Sequence, residues 1–271
     1  MHFITCRVNP QKIKLMKKSI TWVCMLTLAH LLVLNSAAQD KEEILWLVGE
    51  EVVKPEMIDQ YMEVSKELME LCKAEKFPYI YNVWRSQPFH FALWYPIEEM
   101  NDITKIEKAW DAIAEKFGAE RFAKFQECIE SQINKVMVTH LDLSYVPETP
   151  RLKDEDITYC FWQNIYVKKG SEKAVEELFK KAIAVMEEQG MDDALYMGTG
   201  NLGYEKPVYF AWSYGKDEKE FLDRQEELDE TMAETLGETM KQLNAELIKH
   251  ITDIVNEDSW WVKDLSYMPE E

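Results

Sequence analysis

Three histidines lie beyond residue 38: His90, His140 and His250. The first two fall in aromatic and β-branched runs that read as strands, where successive side chains point to opposite faces. If Phe91 and Leu93 face covering helices, His90 and Trp94 face the other way. The same alternation sets Leu141 and Leu143 under helices and leaves His140 and Asp142 beside His90. A histidine and a carboxylate so placed could move a proton, so His90, His140 and Asp142 are the candidate catalytic residues. The competing reading is that they are satisfied structural groups or lie at a rim. His250 reads as a helix-face residue.

Aromatic residues are the second signal. Trp46, Trp84, Trp94, Trp162, Trp212, Trp260 and Trp261 all stand on or beside expected strands. Indoles on strands are ordinarily core, and one cavity could not accept all seven. If some line a pocket, the ligand is flat or apolar. The candidate ligand-binding set is then Trp46, Trp84, Trp94, Trp212 and Trp260, with Asn82 and Asp264 as polar handles.

Other chemistries find no support. Gly198-Thr199-Gly200-Asn201-Leu202-Gly203 has the spacing of a dinucleotide loop, but no helix is expected after it, and such a loop works by aiming a helix N-terminus at phosphate. No serine or cysteine sits in a nucleophile motif. Cys72, Cys128 and Cys160 lack metal-ligand spacing, so no metal site is expected. A Cys72–Cys128 bridge and three buried free thiols are both open, the second favoured.

These side chains must be positioned by elements that occur twice. Asp142-Leu143-Ser144-Tyr145-Val146-Pro147-Glu148 returns as Asp264-Leu265-Ser266-Tyr267-Met268-Pro269-Glu270, 122 positions later with one exchange. Such self-similarity marks a tandem duplication. In the first half, strands are expected at 44–48, 79–84, 89–95 and 136–145. Helices are expected from Pro55, over 103–117 and over 120–133, the last two parted by Gly118. The second half repeats the order: strands at 159–167, 194–197, 208–214 and 260–267, a helix from Ser171 to Gly190, and helical periodicity over 220–255, with Gly237 in the place of Gly118. Each half therefore reads strand–helix–strand–strand–helix–strand, the α+β ferredoxin-like plait. The domains expected are 39–148 and 159–271, joined by a linker at 149–158.

Residues 1–38 differ from the rest. They hold five basic and no acidic residues, a short apolar run from Ile20 to Leu34, and the small-residue exit Ser36-Ala37-Ala38. This is the pattern of a signal peptide cut before Gln39, with Met16 as an alternative start. The expected location is periplasmic or secreted, with no stable membrane insertion after cleavage. Without these residues, 26 basic residues face 50 acidic ones, a formal charge of −24. Nucleic acid is excluded as a partner by that charge. A monomer or weak homodimer is expected.

Strands running into Val-Val-Lys-Pro-Glu (52–56) and Val-Lys-Lys-Gly-Ser (167–171), each followed by an amphipathic helix, a hairpin and further helices, resemble the dimeric α/β-barrel superfamily. That group includes antibiotic-biosynthesis monooxygenase-like and NIPSNAP-like domains. The resemblance implies two fused copies pairing their sheets as an intramolecular barrel, with a pocket between sheet and helices or between sheets. It also brings in haem-using relatives that hold iron through histidine. Here only His90 and His140 could serve, neither in a recognisable motif, so no cofactor is expected. The expected function is binding of a small molecule between the sheets. A cofactor-independent monooxygenase-like enzyme and a partner-binding module with a filled core are the alternatives.

Overall fold

The computed structural model describes residues 43–205 and 207–269, without the side chains of 232–236. The expected signal peptide lies outside the described residues. The first half runs β1 (Glu43–Val53), α1 (Ile58–Ala74), β2 (Asn82–Gln87), β3 (His90–Ile97), α2 (Asp102–Phe117), α3 (Ala119–Cys128) and β4 (Ile129–His140). The second runs β5 (Tyr159–Val167), α4 (Glu172–Gln189), β6 (Tyr196–Gly200), β7 (Val208–Gly215), α5 (Glu218–Ile248) and β8 (Ile251–Trp261). The α+β plait therefore occurs twice. The two four-stranded sheets join edge to edge into one closed antiparallel barrel, in the order β1-β3-β2-β8-β5-β7-β6-β4.

Both seams between the halves are short. One consists of Trp84↔Trp261 and Arg85↔Trp260. The other consists of Met137↔Gly200, Val138↔Thr199 and Thr139↔Gly198. The second demands glycine: a Cβ at Gly198 would sit 2.7 Å from the Val138 carbonyl oxygen.

Alternation along each strand divides the core. Outward side chains meet the helices. In the first half these include Leu47, Val53, Phe91, Tyr95 and Val83, packed with Tyr61, Cys72 and Phe77. In the second they include Ile165, Val167, Met197 and Tyr209, packed with Val175 and Phe179. Inward side chains form a third cluster around Val48, Met137, Cys160, Phe210 and Trp212. Cys72, Cys128 and Cys160 are buried free thiols.

Two boundaries depart from expectation for one reason. Helical spacing was read through residue 133 and through residue 255, yet the helices stop at Cys128 and Ile248. β1 and β5 offer long ladders, so Ser131 pairs with Val52 and Ile251 with Val167. Ile129, Ile133, Ile251 and Ile254 fit either period, and the ladder decides. At Gly118 φ is 91°, which breaks the helix there. α5 instead runs unbroken through Gly237.

The repeated motif has a different role from ending a strand. β4 and β8 stop at His140 and Trp261, and short 3-10 turns follow at Leu141–Leu143 and Lys263–Leu265. Each tail then crosses to the other half. Leu143 packs into the second helix-side core, and Leu265 and Tyr267 into the first. Ser144 Oγ accepts from the Met197 N–H at 2.9 Å, as Ser266 Oγ accepts from Val83 N–H at 2.9 Å. Tyr145 bridges Leu195 and Tyr267 bridges Tyr81. The motif recurs because each copy latches its half onto the other.

Candidate functional site

The barrel interior is built from aromatic rings in continuous contact. Trp162 stacks on Trp212 with centroids 4.6 Å apart and meets Trp94 at 5.4 Å. Trp94 in turn meets Trp46 at 6.2 Å. On the other side Tyr196 stacks on Trp212 at 5.6 Å, and Trp84 lies between Tyr214 at 5.9 Å and Trp261 at 6.5 Å. Several indole N–H groups are already satisfied within the barrel. Trp46 donates to Thr139 Oγ1 at 3.0 Å, Trp162 to Asn164 Oδ1 at 2.9 Å and Trp212 to Tyr214 Oη at 3.2 Å. What these residues offer a visitor is ring face and edge.

The interior is sealed at its waist and only partly buried beyond it. Val48, Met137, Phe210 and Trp212 are at most 5% exposed. Trp46, Trp84, Trp94, Trp162 and Tyr196 are only half-buried. On the helix side Tyr61, Phe77, Tyr81 and Phe91 are 2–3% exposed, while Tyr79, Trp110, Phe122 and Phe125 are half-buried like the interior rings. Toward the mouths of the barrel part of the interior aromatic surface is thus within reach of water.

One mouth also carries charge. Glu50 on β1 and Lys135 on β4 point inward and pair at 2.6 Å, and the Lys135 ammonium lies 5.0 Å from the centre of the Tyr204 ring. Glu257 on β8 is the ladder partner of Trp162 and faces the same interior. Burial raises its pKa, and the Glu50 carboxylate adds to the rise, while Lys135 and His90 oppose it. β8 is not a neighbour of β1, β3 or β4, so these groups act on one another through the lumen. Ala92 stands on the inner face of β3 between His90 and Trp94 and packs against the interior cluster. The β2–β8 seam ends at Arg85↔Trp260, so β8 at Glu257 has no strand on that side.

The candidate residues separate accordingly. Trp46, Trp84, Trp94 and Trp212 lie in the interior cluster. Asn82 stands opposite Trp94 in the β2–β3 ladder, and His90 opposite Val52 at the charged mouth. The cluster of His90, His140 and Asp142 does not form. Thr139 bonds Trp46 inside the barrel, so its neighbour His140 points out, with Nε2 2.8 Å from Thr199 Oγ1 and Nδ1 3.3 Å from Glu43. Asp142 sits in the 3-10 turn that replaces the expected strand end, and pairs with Lys180 on the surface. Trp260 faces outward against Tyr159 at 6.0 Å, and exposed Asp264 pairs with Lys66 at 2.8 Å. His250 lies just past α5, with Nδ1 3.2 Å from Ser171 Oγ.

Glu50, Lys135, Glu257 and Tyr204 are the site residues that sequence reasoning passed over, and Trp162 was named among the strand indoles without entering the candidate set. A signal was present: Lys135 and Glu257 are 122 positions apart, the period of the repeat, with opposite charge.

Other sites fit poorly. No group of three or more potential metal ligands occurs among the described residues. His140 is not placed to hold haem: both of its nitrogens are engaged on the outer face, and the waist of the barrel is filled by side chains. A surface groove of about 530 Å³ between α1 and the α2–α3 corner is lined by Lys66, Lys116 and Arg121. Their charges are taken up by Asp264, Glu75 and Glu67.

No protein-family model matches the chain, and no curated protein matches it in sequence. Among solved structures, an anthrone oxidase-like protein matches with TM-score 0.52 at 13% identity, covering 82% of this chain and 92% of that one. A chlorite dismutase from Candidatus Nitrospira defluvii, in complex with cyanide, matches with TM-score 0.50 at 7% identity, covering 83% and 93%. The fold these structures share with the chain is an α+β barrel of two facing sheets, here with both sheets in one chain. At such identities the likeness concerns fold alone.

Proposed function

We propose that this protein binds a small, flat and largely apolar molecule at the charged mouth of its barrel. The observation that carries the reading is that the half-buried interior indoles, Trp94 and Trp162 among them, lie in one lumen with the inward charges Glu50, Lys135 and Glu257. An apolar surface with a few convergent polar groups is the usual form of a ligand site. The same reading takes the protein to be exported, on the strength of its leader, and to act by binding rather than catalysis, because the expected acid–base pair is not assembled.

The test is calorimetric titration with 2-naphthylmethanol, a neutral flat probe. Wild-type protein should bind it saturably at one site. Trp94→Ala should weaken binding about tenfold or more, and Trp110→Phe, on the helix side, should leave it unchanged. Absence of saturable binding to the wild type would refute the reading.

A further inference from the structure

The charges at the mouth say more about the ligand than its shape does. Resting on the site proposed above, we infer that the ligand carries a positively charged nitrogen, such as a protonated amine or quaternary ammonium, on its flat apolar body. Two inward carboxylates, Glu50 and Glu257, share the lumen with one ammonium. Lys135 is committed to Glu50 at 2.6 Å and to the Tyr204 ring. Among the described residues nothing forms a hydrogen bond or close ion pair with Glu257. Glu257 is partly desolvated and feels only the longer-range pull of Lys135 and His90, so a cation bound against it would offset the cost of its burial.

The surroundings favour the same sign. Glu205 and Asp253 join Glu257 in acting on the Tyr166 hydroxyl at this mouth. Four carboxylates therefore converge near one lysine and one histidine. The Trp162 ring lies beside Glu257 in the β5–β8 ladder and stacks with Trp212. A cation held at Glu257 would thus stand next to indole faces, which attract cations through their quadrupole. A formal charge of −19 on the whole chain draws cations and repels anions at longer range.

The duplication explains how the asymmetry arises. Lys135 and Glu257 occupy equivalent positions of the two halves, 122 residues apart. On the neighbouring strand the first half has Glu50, and the second has Asn164 as the ladder partner of Val255. The first half thus neutralises its lysine internally, while the second leaves its glutamate to the lumen.

Three probes sharing one ring system test this: 2-naphthylmethylammonium, 2-naphthylmethanol and 2-naphthoate, titrated calorimetrically into the full protein. The ammonium should bind about tenfold or more tightly than the alcohol, and the carboxylate more weakly than both. Glu257→Gln should abolish the advantage of the ammonium over the alcohol. Lys135→Met, which frees Glu50, should enlarge that advantage and so checks the idea even if the first variant folds poorly. If the alcohol binds and the ammonium binds no better, the charge inference is overturned while the aromatic site stands. If none of the three binds, both fall.

Discussion

Glu51 is a carboxylate in the wrong place for charge, and its titration should be visible in the stability of the whole fold. It is 4% exposed, in the helix-side core of the first half, where it accepts from Tyr61 Oη at 2.7 Å and from Gln132 Nε2 at 3.2 Å. No cation pairs with it among the described residues. Burial raises its pKa from 4.5 to about 7, with the Tyr61 hydrogen bond opposing the shift. Between those values the folded state holds a proton that the unfolded chain has released. Stability from this group is therefore fully present below pH 4.5 and is lost as pH rises through about 7. At about 1.4 kcal/mol per pH unit, the loss is on the order of 3 kcal/mol. Glu51→Gln keeps an acceptor for Tyr61 and removes the charge. Urea denaturation of wild type and variant from pH 4.5 to 8 isolates the group, because every other titration cancels in the difference. The variant should match the wild type at the acid end and exceed it by about 3 kcal/mol at pH 8. A difference that stays flat across this range would show that Glu51 titrates normally and that the burial argument is wrong.

The latch and the seam make further predictions. Ser266 Oγ accepts from Val83 N–H and from Trp261 Nε1 at 2.8 Å, and donates to the Val262 carbonyl at 3.1 Å, so Ser266→Ala should cost about 1–3 kcal/mol in urea denaturation. Leu143→Ala empties a place in the core of the opposite half and should cost about 2–5 kcal/mol, measured the same way. Gly198→Ala must push the Val138 backbone away and should open the β4–β6 seam, seen as loss of amide protection at Thr139 and Thr199. Protein recovered from the exporting cell should have an intact mass beginning at Gln39, and a mass that retains residues 20–38 would contradict export.

What the sequence revealed depended on whether a side chain's surroundings were local. The plait was legible because its periods are local, and alternation sets Phe91 and Leu93 against the helices and Trp94 inside. The duplication was legible because six of seven residues recur, but their purpose was not. A latch is defined by its partner, and the partners Leu195 and Tyr81 lie in the opposite half. His140 was placed on the wrong face because the strand was carried past its end, and a turn beginning at Leu141 cancels the alternation used for Leu141 and Leu143. Lys135 and Glu257 escaped notice because their proximity exists only once the barrel closes. Read alone, each is one charged residue near the exposed end of a strand.

The central claim is that ligand enters among the interior indoles, and those indoles can report on it themselves. In a ¹⁵N-labelled sample each tryptophan gives one indole N–H signal, and titration with 2-naphthylmethylammonium should shift those of Trp94 and Trp162 most. Trp110, bonded to Tyr95 Oη under the helices, and outward-facing Trp260 serve as internal controls. Saturable shifts at Trp94 and Trp162 with the controls unmoved are the predicted result. Shifts confined to Trp110 or Trp260, or no shift at any indole, would contradict a ligand site inside the barrel.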